Sequence, residues 1–216
     1  GIPGRREATG RGVATCVAEA VAQHGADLSA STAVIQGFGN VGSNAAAPTA
    51  CLESLTDAVK TRSPRLPYIR MVHLLLQGHV PYVEAGLQDR IMTYSIFSAG
   101  EVRTAANEGR AFYLPCTLAN LDSLIGKGKP YEPDVAIFKV RPHEITGEFS
   151  LGLSVEAIHT AIDHATCVIA ELDYSMPFTQ GQSIVDAQSI DYLVDDDGVK
   201  DCYSFPPPDF ANLTNI

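Results

Sequence analysis

Pro48 lies six residues after Gly42, and that interval limits what the first part of the chain can fold into. Upstream, Thr32-Ala33-Val34-Ile35-Gln36 is an apolar run of strand length, followed directly by Gly37-Phe38-Gly39-Asn40-Val41-Gly42. Strand, glycine-rich turn and helix in that order form the context of a dinucleotide-binding fingerprint. Its glycines permit a tight turn, a close backbone approach to a pyrophosphate and close packing of helix on strand. Free amides and the helix dipole then attract the phosphate charge. Pro48 falls where the second turn of that helix would run. A proline inside a helix removes a hydrogen bond and clashes with the preceding turn, at about 3 kcal/mol. A new helix can start there instead, because proline is tolerated at the first helical position.

The preceding segment, residues 12–25, places Val13, Cys16, Val17, Ala20 and Val21 on one stripe of an amphipathic helix that Gly25 would stop. Glu7-Ala8-Thr9-Gly10-Arg11-Gly12-Val13 and Ile35-Gln36-Gly37-Phe38-Gly39-Asn40-Val41-Gly42 together resemble the coenzyme domain of glutamate dehydrogenases and related amino-acid dehydrogenases. The resemblance covers residues 1–47. It implies that Gly37, Gly39 and Gly42 hold an NAD(P) pyrophosphate and that Thr9 lies near the nicotinamide. The fingerprint also requires an acidic residue about 20 positions on, to bind the ribose. The next strand-like run, Tyr68 to Leu76, comes later than that and ends in Gln77-Gly78 with no acid. The substrate domain of such a dehydrogenase, with its lysines and catalytic aspartate, has no counterpart in the chain. Dehydrogenase activity is therefore not expected, and NAD(P) binding by a fragment is kept as an alternative.

Beyond the seam the pattern changes. Leu52, Leu55 and Val59 stand at helical spacing within residues 43–60. Tyr68 to Leu76 is continuously apolar, as suits a strand buried on both faces. Further strands are predicted at Ala111 to Leu114, Val135 to Val140 and Cys167 to Leu172, with helices at Gly100 to Glu108 and Val155 to His164. Strands alternating with helices predict an α/β fold, a three-layer α/β/α sandwich with a mostly parallel sheet and a Rossmann-like strand–glycine-turn–helix near its start.

Three blocks resemble the N-terminal half of the acetyl-CoA hydrolase/transferase family, which includes 4-hydroxybutyrate, butyrate and succinate CoA-transferases. They are Phe97-Ser98-Ala99-Gly100-Glu101-Val102-Arg103 with Asn107 to Pro115, Asp134 to Val140 with Ser150-Leu151-Gly152-Leu153-Ser154, and Val168 to Asp173 with Met176-Pro177 and Thr179-Gln180-Gly181. Ala46-Ala47-Pro48-Thr49 and Leu52-Glu53-Ser54-Leu55 fit the family's early helix. The resemblance spans residues 46–205, which with residues 1–47 would form one fused domain followed by a proline-rich tail, 206–216. It implies transfer of coenzyme A between an acyl-CoA and a small carboxylate. The family's nucleophile is a glutamate of a second domain, which attacks the acyl-CoA and passes through a glutamyl-CoA thioester, splitting one hard acyl transfer into two easier steps. The sequence stops at Ile216, where that domain would begin, so no catalytic residue is assigned and little activity is expected from the chain alone. A C-terminal half acting in trans is the implied partner, and a homo-oligomer is expected. A non-enzymatic fusion or chimeric chain is the remaining alternative. The chain departs from the family in carrying Arg141, Glu144 and Asp173 where a serine, an aspartate and an asparagine are usual. Glu53, Glu101, Glu108, Glu144 and Glu171 are read as solvated or ion-paired surface carboxylates.

Composition narrows the function classes. A net charge of −10 disfavours nonspecific nucleic-acid binding. It also works against the polyanions CoA and NAD unless a basic patch offsets it. Arg62, Arg65 and Arg70 are the densest such group, read as a solvated turn rather than a phosphate site. No apolar run of about 20 residues spans a membrane. Gly1 in place of methionine suggests processing or a fragment. Cys16, Cys51, Cys116, Cys167 and Cys202 are scattered, so neither a zinc site nor a disulfide framework is expected, with Cys16 and Cys167 in the core. A reducing compartment follows, the cytoplasm first and a mitochondrial matrix second. His159 and His164 beside Asp163 point to different helix faces, and no metal is expected. Asp195-Asp196-Asp197-Gly198 lacks the ligand alternation of a calcium loop and reads as a turn. Pro206-Pro207-Pro208 reads as an extended linker.

Overall fold

The computed structural model describes residues 32–35, 47–61, 68–76 and 78–195. Residues 12–25, Cys16, Cys202, Asp196 to Gly198 and the tail 206–216 lie outside them.

The core is a parallel sheet. Its strands are β1 (Thr32–Ile35), β2 (Ile69–His73), β3 (Ile91–Ser95), β4 (Ala111–Tyr113), β5 (Val135–Pro142), β7 (Cys167–Leu172) and β9 (Tyr192–Val194). They lie side by side in the order β4-β3-β2-β1-β5-β7-β9, all parallel. Two short strands, β6 (Phe149–Ser150) and β8 (Ile184–Val185), extend the far end of β5 in antiparallel register. β1 is central, with Ile35 opposite both His73 and Ile137.

Helices cover both faces. On one side α1 (Thr49–Thr61) and α2 (Gly100–Asn107) pack their apolar stripes over Met71, Ile91, Val135, Ile137, Cys167 and Ile169. On the other, α3 (Asp122–Ile125) and α4 (Ile158–His164) lie over Val72, Ala136, Phe138, Val168 and Ala170. Successive residues of β5 and β7 thus enter opposite cores, which is why both strands read as unbroken apolar runs. This is the three-layer arrangement that the alternation predicts.

α1 starts immediately after Pro48, whose carbonyl accepts from Leu52 N at 3.0 Å. The proline therefore opens a helix rather than interrupting one. α1 buries Cys51, Leu52, Leu55 and Val59, each large apolar side chain contributing about 1.5–3 kcal/mol. α4 begins three residues later than its apolar pattern predicts, because Glu156 adopts φ 34°, a left-handed conformation that no helix continues.

Candidate functional site

In open parallel sheets, ligands bind outside the carboxyl ends of the strands, where the strand order reverses. Here the reversal falls between β1 and β5: the chain winds outward through β2, β3 and β4 on one side and through β7 and β9 on the other.

At that edge the paired stretches of β5 and β7, otherwise apolar, each bring in a charge. Lys139 follows Ile137 and Glu171 follows Ile169 on the α1 side of the sheet, and the two are register partners. Both are fully buried. Glu171 Oε2 accepts the backbone N–H of Cys51 at 3.0 Å. First-turn amides of a helix have no partner within it, and the dipole favours a negative charge there, so Glu171 fastens the start of α1 to β7. The sequence places Glu171 among surface carboxylates; it is instead sealed in the core, where it accepts from the start of this helix. The other glutamates behave as read. Glu53 is exposed, Glu101 accepts from Val80 N at 2.7 Å, Glu108 pairs with Arg110, and Glu144 stands 3.7 Å from Arg141.

Lys139 Nζ donates to Asp173 Oδ2 at 2.9 Å, with side-chain exposures of 1% and 2%. Asp173 Oδ1 accepts from Ser175 N at 2.9 Å and Ser175 Oγ at 2.6 Å. Burial pushes the Asp173 carboxyl up, but the hydrogen bonds from Ser175 and the Lys139 ammonium outweigh it and hold the pKa below the ordinary value. An aspartate at this position is thereby neutralised in place.

A second polar net ties the loop after β6 to the loop after β7. Thr179 N and Gly152 N both donate to Ser150 Oγ, at 3.0 and 3.1 Å, while Thr179 Oγ1 donates to the Gly152 carbonyl at 2.6 Å. Gly152 holds φ +65° and a Cβ there would lie 3.3 Å from the Pro177 carbonyl, so glycine is needed on both counts.

His73, at the carboxyl end of β2, is also buried. Its Nδ1 lies 3.0 Å from Tyr82 Oη, and among the described residues its Nε2 has no partner. Burial lowers its pKa to about 3, so the ring is neutral.

Gly37, Gly39, Gly42 and Thr9, the coenzyme-binding residues expected from the sequence, lie outside the described residues, as do Arg62 and Arg65. Arg70 is not in a turn: it pairs with Thr32 in the sheet, at the amino ends of the strands and opposite the candidate site. His159 Nε2 lies 2.5 Å from the Gln182 carbonyl, a structural contact. Among the described residues no cluster of three metal-binding side chains occurs. No helix among the described residues is long and apolar enough to cross a membrane. Lys139, Glu171 and His73 were not singled out from the sequence as site residues. The signal was there for the first two, a lone charge at matching depth in each of two buried apolar runs.

Comparison with known proteins places this arrangement. The sequence model of the acetyl-CoA hydrolase/transferase N-terminal domain matches residues 15–200. The matched range includes Gly42 and Pro48, and the comparisons lend no support to a dehydrogenase origin for residues 1–47. Over 127 residues the chain is 35% identical to a 4-hydroxybutyrate coenzyme A transferase of Clostridium kluyveri, covering 59% of this chain and 29% of that protein. Over 141 residues it is 30% identical to a succinyl-CoA:acetate/propanoyl-CoA:succinate CoA transferase of Fasciola hepatica, covering 65% and 28%. The chain thus matches less than a third of the length of these relatives. Among solved structures, RipA from Yersinia pestis superposes with a TM-score of 0.71 at 22% identity, over 87% of this chain and 42% of that one. A 4-hydroxybutyrate CoA-transferase from Porphyromonas gingivalis does so with a TM-score of 0.62 at 18% identity, over 88% and 39%. These two likenesses establish the fold.

Proposed function

The chain belongs to the acetyl-CoA hydrolase/transferase family, and on that footing we propose that it is the N-terminal half of an enzyme moving coenzyme A between an acyl-CoA and a small carboxylate. The carboxyl edge of the sheet is its substrate side, and a second domain, on the same or another polypeptide, closes over it and brings the nucleophilic glutamate. The observation that carries this reading is the position of the Lys139, Glu171 and Asp173 cluster at the carboxyl ends of β5 and β7, next to the β1/β5 reversal and within the very blocks that resemble the family.

Division of labour follows from the carboxylates present. A nucleophile must reach the thioester carbonyl, whereas Glu171 is enclosed and committed to the start of α1. Asp173 is enclosed and held by Lys139 and Ser175. This half therefore supplies shape and binding, and the chain alone performs no transfer. No cofactor is required beyond the coenzyme A thioester, which is substrate.

Exchange of labelled acetate into acetyl-CoA tests the proposal. The chain alone should show no exchange, and the chain fused to the C-terminal region of the Clostridium kluyveri relative should show it. Exchange by the chain alone would contradict the division of labour. A folded fusion without exchange would contradict the functional reading.

A further inference from the structure

β5 outlasts its parallel neighbour. Val140 is the last residue paired with β7, Asp173 N donates to the Val140 carbonyl, and from Arg141 onward the strand pairs antiparallel with β6. Arg141 and Tyr174 therefore leave the carboxyl edge together, one residue past the last paired position of β5 and two past that of β7. The guanidinium carbon of Arg141 lies 6.0 Å from the centre of the Tyr174 ring, at cation–π range. Tyr174 is exposed, while the Arg141 side chain is held to 23% exposure. Its one carboxylate neighbour among the described residues is Glu144, at 3.7 Å and 85% exposed, too distant for a hydrogen bond. Among the described residues no acceptor fills the donors of this guanidinium.

An arginine oriented by an aromatic ring, with its donor fork unfilled, matches an oxyanion that offers two acceptor oxygens, a carboxylate or a phosphate. The family usually has a serine here, so the feature distinguishes this chain within its family resemblance. We propose that Arg141 is a substrate-binding residue that grips an oxyanion beyond the carboxyl ends of β5 and β7, with Tyr174 as its shelf. The oxyanion is either the far carboxylate of a dicarboxylic acid substrate or a phosphate of coenzyme A. This inference rests on the functional reading above.

Calorimetric titration of the full chain with succinate, acetate and coenzyme A tests it, using Arg141→Gln, Arg141→Lys and Glu144→Gln. Loss of a charge-assisted pair should weaken the affected ligand roughly tenfold to a hundredfold in Arg141→Gln. Lysine should recover only part of this, lacking the fork. Glu144→Gln removes the one competing carboxylate and should tighten binding, an effect that misfolding cannot imitate. Weakening of succinate with acetate unaffected assigns the oxyanion to the acid, and weakening of coenzyme A alone assigns it to a phosphate. Binding that all three variants leave unchanged overturns the Arg141 assignment while sparing the family function. A wild-type chain that binds none of the three ligands overturns both.

Discussion

Lys139 Nζ stands 2.9 Å from Asp173 Oδ2 with both side chains withdrawn from water. Removing one partner of such a pair reduces the compensation of the other buried charge, at a cost of up to about 3–5 kcal/mol, whereas replacing both with neutral groups is often tolerated. Asp173→Asn, which restores the residue usual in the family, should therefore destabilise this chain. Adding Lys139→Met should recover most of the loss. Urea melts of the two single variants and the double variant give the coupling directly. Additive losses would mean that the pair does not act as a unit.

Acid should weaken the fold in two stages. His73 has a folded pKa lowered to about 3, so the unfolded chain takes up its proton first. Stability then falls as pH drops below the ordinary histidine value of about 6.5, at up to ~1.4 kcal/mol per pH unit for one proton. Asp173 has a depressed folded pKa, so its contribution is present above the ordinary aspartate value of about 3.9 and is lost as pH falls through the folded value. The His73 contribution should thus decline from about pH 6.5 downward, opposed by Glu156, whose carboxyl pKa is raised by burial to about 8 and which favours the fold as pH falls from there toward its ordinary value. His73→Gln should flatten the upper stage and leave the lower one. An unchanged slope in that variant would contradict the assignment.

Glu171 closes α1 through Cys51 N. Glu171→Ala leaves that buried amide without its acceptor and should cost about 1–3 kcal/mol. The measurement is denaturant unfolding, with amide exchange at Cys51 rising as the local sign of a frayed helix start. Protection retained at Cys51 would show that another group holds it.

Gly152→Ala should destabilise by about 1 kcal/mol or more, since φ +65° disfavours a side chain and the new Cβ presses on the Pro177 carbonyl. A thermal melt suffices to check it. An unaltered midpoint would mean that the Ser150–Thr179 net yields without strain.

The central strands were legible because burial on both faces leaves an uninterrupted apolar run, as in Val135 to Val140 and Cys167 to Leu172. β3 was not: Ile91-Met92-Thr93-Tyr94-Ser95 alternates buried and half-buried positions, and its polar members hide the strand. The two-residue β6 and β8 are set by partners distant in the sequence. At the candidate site, Asp173 stood out as a departure from the family pattern. Its significance depends on Lys139, a contact 34 positions away that no local pattern encodes. Glu171 was misjudged for the same reason, since Cys51 lies 120 positions before it.

The most direct test of the account is a thermal melt of the chain with acetyl-CoA and, in parallel, with NADH. A ligand at about 100 times its dissociation constant adds roughly 2.7 kcal/mol, which for a chain of this size raises the midpoint by several degrees. A rise with acetyl-CoA and none with NADH is the predicted result. A rise with NADH alone would contradict the assignment of this chain to coenzyme A chemistry.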